Sequence, residues 1–273
     1  MISPVRLIAM DMDGTLLDKQ GKIPKANADA LRAAKKAGVE FSLCTGRFPE
    51  NASLVLMECG LSCPIIGVNG AEITDAPMGA LLSYHTLADR AAREVLKALR
   101  RLNAQFFTFS HKLITTSEVN DVHHSEVSEG AILDKVGVRF AHGAEAVERS
   151  LDAGLTKYYI KDTGNLAEIG SALREIEDIE LTRSGMKNIE VIPKGVNKGS
   201  GLRTLAGHLG IPMESVMALG DQDNDLPMLT CAGYGVAMGN APDDIKKRAK
   251  YETARYDEFG VARAIERFVF GKT

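Results

Sequence analysis

Two carboxylates stand close together near the start of the chain, directly after a short apolar run. Asp11 and Asp13 are separated by one residue, and Gly14 and Thr15 follow them. Like charges at this spacing repel one another unless a cation neutralises them, and carboxylate oxygens suit Mg²⁺. Gly14 allows the chain to turn sharply. The segment therefore indicates either a magnesium site or a solvated turn, in which Asp, Gly and Thr are also common.

A second acidic segment lies near the C-terminus, after an apolar run over 216–219. It contains three aspartates within five residues, of which the first is Asp221 and the last is Asp225. An EF-hand loop is excluded, because the sixth and twelfth positions counted from Asp221 are Leu226 and Ala232, where that loop requires Gly and Glu. Asp221, next to the strand end, is the better candidate for a metal ligand, whereas Asp225 also fits a helix N-cap.

Two further segments offer partners for a phosphate group. In Thr45-Gly46-Arg47, a hydroxyl and a bare backbone N–H stand where a loop enters a helix, and such a loop can hold a phosphate oxygen. Asn197 is a predicted N-cap, which puts Lys198 in the first helical turn. A cation there interacts unfavourably with the helix dipole, at a free-energy cost of roughly 0.3–1 kcal/mol. A bound phosphate would compensate. The alternatives are an ordinary loop and a lysine that points into solvent.

These motifs follow elements that alternate between strand and helix. The N-terminal part is predicted as strand 5–10, helix 26–37, strand 39–44, helix 49–58 and strand 65–68. The C-terminal part is predicted as helix 198–209, strand 216–219, helix 225–231, strand 234–237 and helices 242–250 and 258–270. This alternation predicts an α/β fold with a doubly wound, Rossmann-like parallel sheet. Its site is expected at the carboxyl ends of the strands.

The middle of the chain has a different pattern. Adjacent pairs of short strands are mixed with helices there, which predicts an inserted α+β domain in place of more doubly wound sheet. We place this insert at 85–190, a typical domain size. It separates a first part of the core domain, at 1–84, from a second part, at 191–273.

Composition narrows the classes of partner. The net charge of -3 comes from 33 basic and 36 acidic residues, a balance that argues against a nucleic-acid binder. No stretch approaches the roughly 18 apolar residues of a membrane span, and Asp11 interrupts the N-terminal apolar run too early for a signal sequence. We therefore expect a cytoplasmic protein with no membrane partner.

Cys59 and Cys63 could form half of a zinc site, but no second ligand pair has suitable spacing, which favours reduced thiols.

Taken in order, the motifs resemble those of the haloacid dehalogenase superfamily, and their details are similar to its Cof-type hydrolases. The resemblance rests on Asp11 to Thr15, Thr45 to Arg47, Lys198 and Gly220 to Asp225, and also on Asn69-Gly70-Ala71 and 189–199. The insert lies where that group carries its α/β cap, the element that selects the substrate. The resemblance implies a Mg²⁺-dependent phosphatase of a small phosphorylated metabolite, with sugar phosphates as the default substrate class, acting through an aspartyl-phosphate intermediate.

The resemblance also implies a role for each candidate residue. Asp11 would be the nucleophile, and Asp13 the general acid and base. Mg²⁺ would be held by the side chains of Asp11 and Asp221 and by the backbone carbonyl of Asp13. The dehalogenase members lack the second aspartate of the first motif, so Asp13 argues for phosphoryl chemistry.

The remaining candidates would bind phosphate or support the site. By the same resemblance, the phosphate would contact Thr45, Gly46, Lys198, Asn224 and the backbone of Met12. Asp225 would support the site from a second layer of contacts, and Arg47 and Glu190 would reach toward the substrate or the cap.

Two other functions remain open at this level. A phosphomannomutase-like phosphotransferase on the same scaffold would use Asp11 and Asp13 similarly but would return the phosphate to a sugar. A non-catalytic phosphate-binding protein is the third possibility, and it is disfavoured because binding alone needs no nucleophile.

Overall fold

The computed structural model describes residues 4–116 and 137–272 and divides them between two compact units. The first unit comprises the residues up to Ser83 and those from Asn197 onward, and the second spans Tyr84–Val196. The second unit thus extends beyond residue 190, where we predicted that the insert ends. The reason is that the strand Asn188–Pro193 forms its hydrogen bonds with strands of the second unit.

The first unit is built on an eight-stranded sheet. Its strands are β1 (Leu7–Met10), β2 (Glu40–Cys44), β3 (Ile65–Gly67), β4 (Glu72–Thr74), β5 (Leu81–Tyr84), β12 (Val216–Gly220), β13 (Tyr234–Ala237) and β14 (Tyr251–Glu252). Their order is β14-β13-β12-β1-β2-β3-β4-β5. Neighbouring strands from β14 to β3 pair in parallel, and β4 runs antiparallel to β3. The predicted doubly wound sheet is confirmed.

Helices cover both faces of this sheet. They are α1 (Lys25–Lys36), α2 (Pro49–Glu58), α6 (Lys198–His208), α7 (Leu226–Cys231), α8 (Asp243–Arg248) and α9 (Gly260–Phe268). Successive residues of β1 point to opposite faces. Ile8 therefore joins one buried apolar cluster with Leu31 of α1, and Leu7 joins another with Leu202 of α6. The central strand is buried on both sides, as in other parallel sheets.

Two of these helices begin at residues with a clear starting signal. Pro49 occupies the first turn of α2, where its missing N–H has no hydrogen bond to lose. Asn197 caps α6, since its Oδ1 accepts hydrogen bonds from the backbone N–H groups of Gly199 and Ser200. The predicted N-cap is confirmed, and it fixes Lys198 as the first residue of the helix.

The second unit contains a six-stranded sheet. Its elements are α3 (Asp89–Arg101), β6 (Phe106–Ser110), β7 (Leu113–Thr116), β8 (Arg139–His142), α4 (Ala144–Asp152), β9 (Leu155–Lys161), α5 (Leu166–Leu173), β10 (Ile179–Thr182) and β11 (Asn188–Pro193). The strand order is β10-β11-β9-β6-β7-β8, and every pair is antiparallel except β7 with β8. Val95 of α3, Val147 of α4 and Ile169 of α5 join one buried cluster with residues of the sheet. The predicted α+β insert is confirmed.

The helices in the described part of the chain are short. The longest of them, α3, has 13 residues, whereas a transmembrane helix needs about 20. Across residues 4–116 and 137–272, none has the length and apolarity that a bilayer crossing requires.

Candidate active site

The predicted motifs meet at one edge of the first sheet. β1 and β12 are parallel neighbours at its centre, and from them the chain builds the sheet outward in opposite directions. The carboxyl ends of such strands enclose a crevice at this switch point. Asp11 follows β1, Asp221 follows β12, and Thr45 follows β2. The topology therefore brings together residues that lie far apart in the sequence.

Lys198 is the centre of a buried charge cluster. Its Nζ lies 2.5 Å from Oδ1 of Asp11 and 2.6 Å from Oδ1 of Asp225. The lysine and Asp225 are fully buried, and Asp11 is nearly so. The sequence led us to expect that a phosphate would offset the unfavourable position of Lys198 at the start of a helix. In the structure two carboxylates already do so.

One ammonium group cannot balance all the carboxylates around it. Burial raises the pKa of Asp11, Lys198 opposes that rise, and the neighbouring Asp225 and Asp221 add to it, so the pKa lies well above its usual value. For Lys198, burial lowers the pKa, but the carboxylates of Asp11 and Asp225 outweigh burial and raise it. Lys198 is therefore a permanent cation in a cluster with surplus negative charge.

The carboxylate of Asp225 is fully engaged in holding this cluster together. Its Oδ1 accepts from Lys198, and its Oδ2 accepts from the backbone N–H groups of Asp221 (2.8 Å) and Gln222 (2.9 Å). It forms no side-chain cap on α7, the helix that begins just after it. The alternative of a simple N-cap is wrong: Asp225 turns back and shapes the loop that carries Asp221.

Asp221 is oriented by donors on both of its oxygens. Thr15 Oγ1 donates to Oδ1 at 2.9 Å, while Gln222 Nε2 and Asn240 Nδ2 donate to Oδ2 at 3.1 and 3.2 Å. Burial, followed by the charge of Asp225, raises the pKa of Asp221 to about 6. Gly14, at φ +80°, passes so close that a Cβ there would lie 2.5 Å from Oδ2 of Asp221. Glycine is thus required at that point of the first motif.

Asp13 differs from Asp11 in being accessible. Its side chain is 60% exposed, and it forms a bidentate ion pair with Arg47, whose Nε and Nη2 donate at 2.9 and 2.6 Å. Arg47 Nη1 also donates to Asn51 Oδ1, and its backbone N–H donates to Thr45 Oγ1 at 3.1 Å. Arg47, in the segment that follows β2, therefore binds the carboxylate of Asp13 directly.

Two of the predicted phosphate partners, Asn224 and Thr45, are joined through Asn69 in a second hydrogen-bond network. Asn224 is buried, and its Nδ2 donates to Asn69 Oδ1 at 3.2 Å. The backbone N–H of Asn69 donates to the carbonyl of Thr45 at 2.9 Å. Asn224 Oδ1 is buried without a hydrogen-bond partner. Gly46 follows Thr45 in the same loop, and the backbone carbonyl of Met12 accepts from Leu17 N–H.

Comparison with known proteins identifies the family. A family model described as haloacid dehalogenase-like hydrolase matches residues 8–265. The chain belongs to this family. It is 34% identical to 5-amino-6-(5-phospho-D-ribitylamino)uracil phosphatase YcsE of Bacillus subtilis, over 97% of this chain and 96% of that protein. The expectation of a haloacid dehalogenase-type phosphatase is confirmed.

Solved structures show the same fold. A haloacid dehalogenase-like hydrolase from B. subtilis superimposes with a TM-score of 0.83 at 30% identity, covering 96% of this chain and 99% of that one. The subclass IIB sugar phosphatase BT4131 gives a TM-score of 0.81 at 25% identity, covering 97% and 99%. The Rossmann-like core with an inserted domain is therefore the fold of this hydrolase and of its relatives.

Phosphatases of the haloacid dehalogenase superfamily typically use a metal ion, and the acidic residues of this hydrolase fit one. Within the described residues, Asp11, Asp221 and Asp225 each place a carboxylate oxygen within 4.8 Å of the others. Burial, and after it the neighbouring carboxylates, raise the pKa values of Asp11 and Asp221, and a bound divalent cation would favour their charged forms. Asp225 gives one oxygen to the ammonium group of Lys198 and the other to two backbone N–H groups, whereas the side-chain donors to Asp221 are neutral. Asp11 and Asp221 therefore remain the predicted side-chain ligands.

Glu190 is the predicted site residue that lies outside the first unit. It is buried in β11 of the second unit, where Ser184 Oγ donates to its Oε1 at 2.7 Å. Lys157 Nζ lies 3.6 Å from its Oε2 and 4.4 Å from the centre of the Phe109 ring. Its contacts within that unit are thus those of a buried ion pair.

Sequence reasoning missed several residues that hold the site. Thr15 and Asn240 both donate to Asp221, and Asn69 joins Asn224 to the loop of Thr45. Asn69 adopts φ +55° between two other positive-φ residues, Val68 and Gly70, a backbone that is costly for Val. Thr15 and Asn69 lie in segments that carried the resemblance, although no role was predicted for them, and the only signal for Asn240 was its place shortly after a strand.

Proposed function

We propose that this chain is a Mg²⁺-dependent phosphatase that hydrolyses a phosphorylated sugar or polyol through a phospho-aspartate at Asp11. The proposal rests on the contrast between the two acids of the first motif. Asp11 is buried against a permanent cation, Lys198, whereas Asp13 is exposed beside Arg47. The first arrangement suits a nucleophile and the second suits a group that exchanges protons with water and substrate.

In the first step, a carboxylate oxygen of Asp11 attacks phosphorus and the bond to the substrate's ester oxygen breaks. Asp13, in its protonated form, donates its proton to that leaving oxygen. Lys198 remains charged throughout and attracts the phosphate oxygens. Mg²⁺, when bound, would offset the negative charge of the phosphate and of the acidic cluster. Asp11 and Asp221, with the backbone carbonyl of Asp13, are the groups that would hold it.

In the second step, water attacks the phosphorus of the phospho-aspartate. Asp13, now deprotonated, takes a proton from that water, and the bond from phosphorus to the Asp11 oxygen breaks. Inorganic phosphate leaves, Asp11 is restored as a carboxylate, and Asp13 is restored in its protonated form. Thr45, Gly46, Asn224 and the Met12 backbone are the proposed contacts of the transferring phosphoryl group, and Asp225 keeps Lys198 in place.

The substrate class is proposed from the relatives and from the chemistry of the step. The YcsE relative is named for a phosphorylated ribityl chain, and BT4131 is described as a sugar phosphatase. Both descriptions denote a phosphate on a polyhydroxy carbon chain. We propose that the second unit discriminates among such substrates, and that Arg47, which pairs with Asp13 in the first unit, also contributes to this selectivity.

The test is release of inorganic phosphate from a panel of sugar, polyol and nucleotide monophosphates, with Mg²⁺ and with EDTA. We expect Mg²⁺-dependent release that favours sugar or polyol phosphates, and an Asp221→Ala variant that needs far more Mg²⁺ or has no activity. Formation of an isomeric sugar phosphate without phosphate release would identify a phosphotransferase. Equal release with EDTA, or an unchanged Mg²⁺ response in Asp221→Ala, would contradict the metal assignment.

A further inference from the structure

Asn240 lies in the loop that follows β13, outside all the sequence motifs discussed above. β13 is the parallel neighbour of β12, with Gly220 opposite Ala237 at their carboxyl ends. The loop after β13 therefore opens on the same edge of the sheet as Asp221. The backbone N–H of Met238 donates to the carbonyl of Gly220 at 3.0 Å and continues this alignment into the loop.

The side-chain amide of Asn240 has partners at both its nitrogen and its oxygen, and they determine its orientation. Nδ2 donates to the carbonyl of Gly14 at 2.9 Å and to Oδ2 of Asp221 at 3.2 Å. Oδ1 accepts from the backbone N–H of Tyr256 at 3.1 Å. The first two partners can only accept and the third can only donate, so the reversed amide would lose every one of these bonds. No carboxylate or hydroxyl side chain supplies two donors and an acceptor in this geometry.

Asn240 thereby joins the two segments that carry the proposed metal ligands. Gly14 directly follows Asp13 in the loop of the nucleophile, and Asp221 comes from the opposite half of the first unit. Thr15 holds Oδ1 of Asp221 from the same loop. Asn240 holds Oδ2 together with Gln222, and of these two donors Asn240 also binds the loop at Gly14, so that the carboxylate cannot rotate without breaking a bond on either side.

The loop of Asn240 is itself anchored away from the acids. The backbone N–H of Gly239 donates to the carbonyl of Ala254 at 3.1 Å, and Lys246 Nζ donates to the carbonyl of Gly239 at 2.8 Å. With the bond from Tyr256, these contacts fix Asn240 to the C-terminal segment. The position of the amide is thus determined by the C-terminal segment and does not depend on Asp221.

We infer that Asn240 is a positioning residue that sets the orientation of Asp221 and its distance from the loop of Asp11 and Asp13. The inference rests on the proposed function, because its purpose is to keep the cation-binding oxygens at one spacing before the cation arrives. Groups that orient a metal ligand in this way typically contribute 10–100-fold in metal affinity or activity.

The experiment measures metal binding directly, with Mn²⁺ as a spectroscopic substitute for Mg²⁺. Free Mn²⁺ is quantified by electron paramagnetic resonance while wild type and Asn240→Ala are titrated, and Mg²⁺ affinity follows from competition. We expect Asn240→Ala to bind both ions about 10–100-fold more weakly. The Mg²⁺ concentration for half-maximal phosphatase activity should rise by the same factor.

Asn27 provides a matched control. It is fully buried, and its Nδ2 donates to the carbonyl of Leu16 while its Oδ1 accepts from the backbone N–H of Ala262, both at 3.1 Å. It therefore ties the end of the same loop to the C-terminal segment without contacting Asp221. Asn27→Ala should lower the melting temperature but keep Mn²⁺ affinity within about twofold, well short of the loss expected where a metal ligand is misoriented.

The outcomes separate this inference from the proposed function. If wild type binds no Mn²⁺ and releases no phosphate, the proposed function itself fails. If wild type binds Mn²⁺ and Asn240→Ala binds it equally well, only the positioning role of Asn240 is overturned. A parallel loss of affinity in Asn27→Ala would also overturn it, as would the failure of both Asn240→Ala and Asn240→Ser to fold, since each would reduce Asn240 to a structural role.

Discussion

Each unit of the molecule buries a lysine against carboxylates, but the two clusters differ in their balance of charge. In the first unit, Lys198 forms ion pairs with both Asp11 and Asp225, and the carboxylate of Asp221 is close by. In the second unit, Lys157 forms a buried ion pair with Glu190, and Ser184 Oγ also donates to the glutamate. One cluster carries surplus negative charge, and the other is neutral as a pair.

This difference distinguishes a site from a structural contact. A buried ion pair with matched charges is a stable arrangement that needs no further partner, although it adds little to stability over a well-packed apolar pair. Buried surplus charge is different, because each uncompensated carboxylate loses hydration without gaining an opposite charge. Such a cluster is retained where it performs a function, and here it stands at the switch point of a doubly wound sheet.

The largest expected effect comes from removing the nucleophile. Asp11→Asn should reduce turnover by about 10³-fold or more, since the amide that replaces the carboxylate is a poor nucleophile and cannot form the phospho-aspartate. Lys198 keeps Asp225 as a partner and the cluster loses one surplus charge, so the melting temperature should change little. Steady-state phosphate release and thermal melting check both points. A folded variant with substantial activity would show that Asp11 is not the nucleophile.

The second acid should behave differently because of its exposure. Asp13→Asn should slow turnover by about 10²–10⁴-fold, the range typical of general acid–base catalysis. The loss in the first step should be smaller for p-nitrophenyl phosphate, whose leaving group needs little protonation, while breakdown of the phosphoenzyme stays slow. Rapid-quench measurement of phosphoenzyme separates the two steps. Full turnover of poor and good leaving groups alike would remove Asp13 from the mechanism.

Much of the first unit was predictable because its signals are local. Pro49 and Asn197 mark helix starts, and apolar runs mark the strands whose carboxyl ends carry Asp11 and Asp221. The short strands β4, β5 and β14 were missed. They have two to four residues and too little apolar patterning for a period to show.

The sequence predicted the residues of the site that lie in its motifs. It did not predict the hydrogen bonds that hold those residues in place. A lone Asn after a strand usually indicates a turn, and nothing local shows that Asn240 meets Gly14 across 226 positions. The pairing of the Arg47 guanidinium with Asp13, 34 positions away, was likewise not predicted. Contacts of this kind depend on strand order, which single motifs do not contain.

Substitutions in the ion pair of the second unit, Lys157 with Glu190, should change the free energy of unfolding rather than the catalytic step. Glu190→Gln leaves Lys157 charged and buried, and removing one partner of a buried pair costs about 3–5 kcal/mol. The double variant Lys157→Met/Glu190→Leu should recover much of that loss, since both charges of the pair are removed together. Urea denaturation of wild type, single and double variants measures the difference. An additive double variant would show that the two charges do not interact in the fold.

The surplus charge of the first unit should appear as a pH dependence of stability in the metal-free protein. Burial and Asp225 raise the pKa of Asp221 from 3.8 to about 6. The folded state therefore holds this proton more tightly than the unfolded state, so the stabilising contribution is complete below pH ~3.8 and is lost as the pH rises through ~6.

The shift corresponds to at most about 3 kcal/mol, since one pKa unit is about 1.36 kcal/mol. Asp221→Asn isolates it from the other titrating groups. In EDTA, the unfolding free energy of wild type minus that of Asp221→Asn should fall between pH 4 and pH 7. Saturating Mg²⁺ at pH 7 should stabilise wild type much more than the variant, because the cation replaces the lost proton as the neutralising charge. A difference that stays constant from pH 4 to pH 7 would mean that Asp221 ionises in the fold as it does in water. The first cluster would then carry no more electrostatic strain than the second.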